Sequence, residues 1–191
     1  MIMNFSFRNQ TWHPWAILAT LGLTVATLRL EGQPWFCQCG KLRFWVGEAY
    51  SEHTSQHLLD PYSFTHLQHG LVFFFLVGWL ASRWKWHWQL WLAIALESAW
   101  EIFENTPFVI DRYRTTTAAL GYNGDSILNS VGDILACTVG VLIARRLGWR
   151  AICGLFFAIE VVMLVTIRDS LLLNIVMLLV PNGALIEWQQ G

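Results

Sequence analysis

Charged residues are scarce in this chain. They make up 13% of its 191 residues, and 12 basic and 13 acidic side chains leave a formal net charge of −1. That balance excludes the strongly basic field on which nucleic-acid binding depends, so we expect no nucleic-acid partner. Hydrophobic residues reach 55%, more than an ordinary soluble domain carries. The composition predicts an integral membrane protein; the alternative is a soluble helical bundle with an apolar core.

Several motifs of common enzyme classes are also missing. The chain has no glycine-rich phosphate loop, no dinucleotide-binding fingerprint and no nucleophile elbow. Internal repeats and low-complexity segments are missing as well. Any catalytic site must therefore be assembled from side chains on separate segments.

Long apolar runs are abundant, and they predict one all-α domain over residues 1–191, a polytopic bundle of about six transmembrane helices. Twelve tryptophans fit this class, because indole rings favour the membrane interface. The runs cover residues 15–30, 66–81, 89–103, 126–144, 151–167 and 170–180.

Basic residues in the short loops predict an orientation. Arg83 and Lys85 follow the second run, and Arg145 and Arg146 follow the fourth. Because such residues stay inside, these turns should be cytoplasmic. Both termini would then lie in the cytoplasm of a bacterial inner membrane, and the loop 31–65 would lie on the outer face.

Polar residues interrupt three of the runs at this outer end. Within each run their spacing places them on one helical face. Such groups are costly to expose to lipid, so they normally face a protein interior or a water-filled cavity. The groups are His66 with His69, Glu97 with Glu101 and Glu104, and Asp125 with Asn129 and Asp133.

Histidines and carboxylates together suit a divalent metal ion or acid–base chemistry. We predict a metal site formed by His66, His69, Glu97 and Glu104. The candidate catalytic residues are Glu101, Asp125 and Asp133. The candidate substrate-binding residues are Arg112, Arg114, Asn105 and Asn129. Structural roles compete: the histidines can bond to water, the glutamates can pair with the arginines, and Asp125 can cap a helix.

Cysteine is rare, with four residues in the chain. Cys137 and Cys153 fall inside apolar runs, where small apolar packing explains them. Cys37 and Cys39 lie in the outer loop, where a disulfide is an option in an oxidising compartment. They are too few for a structural zinc site unless His53 or His57 joins them.

Three segments of the polar region form a long signature: WEIFEN at 100–105, DRYR at 111–114 and GYNGDSILNSVGD at 121–133. With this signature the region resembles the VanZ-like group of bacterial membrane proteins. Within that group it looks most like an uncharacterised proteobacterial family of integral membrane proteins, and the resemblance covers about residues 60–145. It implies a polytopic fold and a cell-envelope role near glycopeptide-antibiotic susceptibility, and it supplies no established reaction.

These observations favour a small membrane-embedded hydrolase or transferase acting on a lipid or lipid-linked envelope substrate. A divalent metal would activate water, and Arg112 and Arg114 would bind a phosphate or headgroup. Without a metal, Asp125 and Asp133 would act as a pair of carboxyl groups in acid–base catalysis. One alternative is a proton-coupled carrier whose intramembrane carboxylates titrate. Another is a non-enzymatic membrane binding or assembly protein.

Overall fold

The computed structural model describes residues 14–119 and 121–190, and every regular element in those ranges is a helix. The strand-like pairing found there is an isolated bridge between Trp45 and Leu59. The all-α prediction is confirmed, whereas residues 1–13, with the predicted cytoplasmic N terminus, lie outside the described residues. In chain order the helices are α1 (Trp15–Leu30), α2 (Ser63–Leu80), α3 (Trp86–Glu104), α4 (Pro107–Thr116), α5 (Ile127–Ala144), α6 (Trp149–Ile167), α7 (Leu171–Leu179) and α8 (Gly183–Gln190).

Local hydrogen bonds fix where the helices nearest the polar region begin. Ser126 caps α5, because its hydroxyl accepts a hydrogen bond from the backbone N–H of Asn129. The capping role considered for Asp125 therefore belongs to the next residue. Before α2, the carboxylate of Asp60 accepts a hydrogen bond from the backbone N–H of Tyr62 at 2.8 Å, which holds the chain as it enters that helix.

Helices α2 and α5 form the centre of the bundle and touch backbone to backbone. A Cβ atom at Gly70 would overlap the carbonyl oxygen of Cys137, and one at Gly140 would overlap that of Leu67. Toward the far ends of these helices the core is apolar and includes Val77, Ala81, Ala93 and Val141. The polar side chains are thus confined to one end of the bundle.

Within the described residues, three helices are long and apolar enough to cross a membrane: α2, α5 and α6. Helix α6 presents large apolar side chains outward, with Val165 77% exposed and Phe157 59% exposed. Exposed apolar surface of this kind suits contact with lipid better than contact with water.

The predicted count of six spans is not confirmed. Helix α1 has 16 residues and is apolar but shorter. The run 170–180 forms the nine-residue helix α7, about 14 Å long at 1.5 Å per residue. A hydrocarbon core of about 30 Å is twice that length, so α7 does not cross it.

Candidate functional site: a buried histidine–carboxylate cluster

His66 and His69 lie one turn apart on α2 and face α3. His66 Nδ1 is 2.6 Å from Glu97 Oε1, and His69 Nδ1 is 3.1 Å from Glu97 Oε2. Glu97 is fully buried. Both imidazoles therefore share one carboxylate within the bundle.

Two further carboxylates approach His66. Glu101, one turn beyond Glu97 on α3, places Oε1 3.2 Å from His66 Nδ1. Asp133 of α5 places Oδ2 3.9 Å from the opposite ring nitrogen, Nε2. Both carboxylates are buried, and neither oxygen of Glu101 has a hydrogen-bond partner. The predicted catalytic residues Glu101 and Asp133 thus meet the predicted metal ligand His66.

This cluster is short of positive charge. In the described part of the chain, the ion pairs made by Glu97, Glu101 and Asp133 all involve histidine. Two imidazoles carry at most two positive charges against three carboxylates. Since a buried uncompensated charge costs several kcal/mol, the cluster needs either bound protons or an added cation.

A divalent cation fits the donors present. One ligand atom each from His66, His69 and Glu97 lies within 4.8 Å of the others, and the same holds for His66, Glu101 and Glu104. Around a tetrahedral ion bound at about 2.1 Å, ligand atoms are about 3.4 Å apart. The unpartnered oxygens of Glu101 supply free acceptors for such an ion.

The cluster lies at the base of an open cavity of about 860 Å³. His66, His69 and Glu104 line its floor, and Trp100 packs edge-on against His69. The convergence of polar residues at one end predicts that Glu101, Asp133 and His66 line one cavity, but of these three only His66 is among the lining residues. Both carboxylates approach His66, which therefore connects them to the cavity.

Asp125 is held in a separate hydrogen-bond network. Its carboxylate accepts hydrogen bonds from Asn105 Nδ2 at 3.1 Å and from the Tyr122 hydroxyl at 3.0 Å. Its backbone N–H donates to Asn105 Oδ1 at 2.6 Å. Burial raises the pKa of Asp125 above its ordinary value, although His66 and these hydrogen bonds oppose the rise. This network joins the end of α3 to the start of α5.

The remaining predicted substrate-binding residues donate hydrogen bonds within the protein, mostly to backbone carbonyl oxygens. Asn129 Nδ2 donates to the carbonyl oxygen of His57 at 2.9 Å. Arg112 donates twice to the carbonyl oxygen of Leu178, and Arg114 donates to Tyr122 O and Asn123 Oδ1. Neither arginine is among the described residues that line the cavity. Arg114 instead fixes two residues, Tyr122 and Asn123, that do.

Sequence reasoning missed the aromatic and polar wall of the cavity. Tyr113 and Tyr122 belong to the segments 111–114 and 121–133, so those segments already contained the signal. Tyr62 and Asp169 gave no such signal, because their contact joins positions 107 residues apart: the Tyr62 hydroxyl donates to Asp169 Oδ2 at 2.9 Å. The wall includes Tyr50, Tyr62, Tyr113, Tyr122, Asn123, Asp169 and Asn174.

In its described residues the chain is all-helical, three of its helices are long and apolar enough to cross a membrane, and its buried cluster contains groups that could hold a metal ion. The chain belongs to the family described as "Protein of unknown function (DUF2585)", which matches residues 28–191. The match establishes the predicted uncharacterised family, whereas the relationship to the VanZ-like group stays a prediction.

Relatives are similar over nearly the whole chain. A UPF0314 protein of Sphingopyxis alaskensis is 43% identical over 178 residues, which cover 93% of this chain and 95% of the relative. A UPF0314 protein of Rhizobium meliloti is 46% identical over 177 residues, covering 92% of this chain and 89% of the relative. No solved structure matches the chain.

Proposed function

We propose that this protein is a membrane-embedded, metal-dependent hydrolase or transferase acting on a lipid or lipid-linked envelope substrate. The observation that carries the proposal is the charge-deficient cluster of His66, Glu97, Glu101 and Asp133 at the base of an open cavity. Helical bundles without a functional site rarely bury so many uncompensated carboxylates, because each buried charge costs folding free energy.

The residues divide into ligands and supporting groups. His66, His69 and Glu97 would hold the ion, with Glu101 and Glu104 as additional oxygen donors. When bound, the ion supplies an acidified water and an electrophile for a phosphoryl or carbonyl oxygen. Asp133 faces the nitrogen of His66 that points away from Glu97. It is therefore placed to orient that ring, as carboxylates behind metal-binding histidines do.

The cavity suits a polar headgroup. Hydroxyl and amide groups of Tyr62, Tyr113, Asn123 and Asn174 line it, and Glu104 lies beside Trp100 at its floor. The cavity lies at the end of the bundle where α2 and α5 begin and α3 ends. Because helix ends lie near the membrane surface, a lipid headgroup can enter while its chains stay in the bilayer.

A proton-coupled carrier fits the packing less well. A carrier needs a polar path from the cluster to the opposite face, and the described residues there form an apolar core of Val77, Ala81, Ala93 and Val141. The Gln68–Glu160 pair, with Nε2 2.8 Å from Oε1, is tied between α2 and α6 and does not extend the cluster through the bundle. This core favours a one-sided site.

Metal content tests the proposal. Full-length protein purified in detergent should retain a divalent ion in addition to any held by Cys37 and Cys39, counted by mass spectrometry. Glu97→Gln should lower the affinity of the cluster for that ion by at least about 100-fold, because the ligand itself changes and outer groups alone are worth 10–100-fold. Glu160→Gln, a buried carboxylate outside the cluster, is the matched control and should keep the ion.

Turnover is tested with vesicles of phosphatidylglycerol and phosphatidylethanolamine, and with a polyprenyl diphosphate in the same vesicles. Headgroup or phosphate release should stop when the ion is removed with a chelator and return when it is added back. Release that is insensitive to both the chelator and Glu97→Gln contradicts the metal mechanism. Absence of any release, with no ion retained, contradicts the hydrolase proposal as a whole.

A further inference from the structure

Four metal-binding side chains outside the buried cluster meet in the loop between α1 and α2. Cys37 Sγ lies 3.5 Å from His53 Nδ1, and Cys39 Sγ lies 4.0 Å from His57 Nε2. One ligand atom from each of the four lies within 4.8 Å of all the others. A tetrahedral zinc ion, with Zn–S of about 2.3 Å and Zn–N of about 2.0 Å, separates sulfur from nitrogen by about 3.5 Å. The donor atoms already stand at nearly that spacing.

We propose that Cys37, Cys39, His53 and His57 bind one Zn²⁺ ion. Four protein ligands fill a tetrahedral shell and leave no open position, which is the arrangement of structural rather than catalytic zinc. The proposal does not depend on the function assigned to the cluster of His66, because no residue is shared between the two groups.

The surroundings of His57 support an ion. The side chain is fully buried, its Nε2 lies 4.0 Å from Cys39 Sγ, and its Nδ1 has no hydrogen-bond partner. A buried imidazole with so little hydrogen bonding is costly, and an ion bound through Nε2 would stabilise it.

The loop between α1 and α2 is long for a segment without regular secondary structure. Residues 32–62 contain no helix, and a structureless loop of this length is uncommon in a compact domain. Its two halves are joined by few backbone hydrogen bonds, among them Cys37 N to Gln56 O at 3.1 Å and Leu59 N to Phe44 O at 3.1 Å. An ion bound by both halves in the folded protein adds its binding free energy to the stability of the folded loop.

The ion would also fix one wall of the cavity. Cys37, Cys39 and His53 are among the cavity-lining residues. The segment that carries His57 is fastened to the start of α5, where Ser126 N donates to Ser55 O at 2.8 Å. Zinc bound in the loop therefore determines the position of that wall relative to α5.

X-ray absorption at the zinc edge tests the proposal on the full-length protein purified in detergent. We expect about one zinc ion per chain with two sulfur neighbours at about 2.3 Å. The cluster of His66 contains no cysteine ligand, so the zinc–sulfur signal reports the loop site alone. Cys37 and Cys39 should react with an alkylating reagent only after the zinc is removed by a chelator.

Variants separate this site from the rest of the chain. Cys37→Ser combined with Cys39→Ser should abolish the zinc–sulfur signal, and Cys153→Ser, which changes an exposed cysteine on α6, should leave it unchanged. Should the double variant fail to fold, the wild-type absorption spectrum still decides. Zinc-supplied wild-type protein without zinc–sulfur neighbours, or a Cys37–Cys39 disulfide in its intact mass, overturns the proposal.

Discussion

At the scale of single residues, His66 is the point where the buried cluster and the cavity meet. Its Nδ1 faces Glu97 and Glu101 while its Nε2 faces Asp133. A ring that binds a metal through one nitrogen is normally oriented through the other by a carboxylate or carbonyl group. In the proposed metal site, Asp133 would therefore position His66, and this role can be tested directly.

Asp133→Asn removes a charge at nearly constant shape. We expect metal affinity to fall by about 10–100-fold and the thermal midpoint of the metal-free protein not to fall, because a neutral amide replaces a buried, uncompensated charge. Calorimetric titration of the metal-free protein measures the first quantity, and thermal unfolding measures the second. Asp111→Asn, at an exposed carboxylate on α4, should change neither.

Either of two results would show that Asp133 has only a structural role. One is unchanged metal affinity in a normally folded Asp133→Asn protein. The other is a loss of stability that Asp133→Glu reverses without changing metal affinity.

The buried carboxyl group of Asp169 predicts that the stability of the protein depends on pH. Burial raises its pKa to about 6 from 3.8, against the opposing hydrogen bonds from Tyr62, Ser170 and Asn174. Between these two values the folded protein holds a proton that the unfolded chain releases. This contribution to stability is present at low pH and is lost as the pH rises through about 6.

Asp169→Asn keeps the shape and removes that titration. From pH 4 to pH 7 the variant should gain roughly 3 kcal/mol relative to the wild type, because the pKa difference is about two units. Thermal unfolding of both proteins in the same detergent, at each pH, measures the difference. An identical difference at both pH values would contradict a titrating Asp169.

At the scale of elements, glycines decide how closely α2 and α5 pack. Gly70→Ala places a methyl group against the backbone of Cys137 and Val141, which cannot withdraw as a flexible side chain can. We expect a loss of about 1–3 kcal/mol or more, as for overpacked cores. Gly78 lies on the same helix with nothing within 4 Å of an added Cβ.

Gly78→Ala is therefore the matched control. It should be neutral or stabilise α2 by up to about 1 kcal/mol, since alanine is the better helix former. Thermal midpoints of the two variants in one detergent make the comparison. Equal effects of the two substitutions would mean that α2 and α5 are not in backbone contact.

Helices α7 and α8 form a short C-terminal pair, and the end of α8 lies close to the residues that precede α7. Arg168, just before α7, donates from Nη1 to the carbonyl oxygen of Trp188 in α8 at 3.0 Å. Neither helix is long enough to cross a membrane, because they have nine and eight residues. This contact favours a C terminus on the cavity side, in contrast to the cytoplasmic end expected from six spans.

A reporter fused after residue 190 tests this arrangement. We expect it to report the same side of the membrane as a reporter inserted within 40–58. Opposite readings from these two positions would show that the chain crosses the membrane once more after α6.

At the scale of the whole molecule, the basic turns predict which side the cavity faces. Reporters after Lys85 and Arg146 should lie in the cytoplasm, and one within 40–58 should lie in the periplasm, because basic loops stay inside. A cytoplasmic reading at 40–58 would place the cavity, and with it any substrate, at the inner leaflet.

The helices that follow the apolar runs, and the shared faces of their polar residues, could be predicted from the sequence, whereas α4 and α8 lie outside those runs. Apolar runs and the spacing of Glu97, Glu101 and Glu104 are local properties, and a helix converts them directly into position on a face. The run 15–30 and the helix Trp15–Leu30 agree for this reason. Successive helices run in alternating directions, so their order in the chain already predicts that the histidines and carboxylates lie at one end of the bundle.

The packing of the helices determines which of these side chains are in contact and how deeply they lie within the bundle. The depth of His66 relative to Asp133 depends on how closely α2 approaches α5, and that is fixed by backbone contacts at Gly70 and Gly140. Arg112 binds a carbonyl of α7 instead of a ligand because α7 packs beside α4. Such contacts join residues far apart in the chain, and their free energies exist only once the helices have packed.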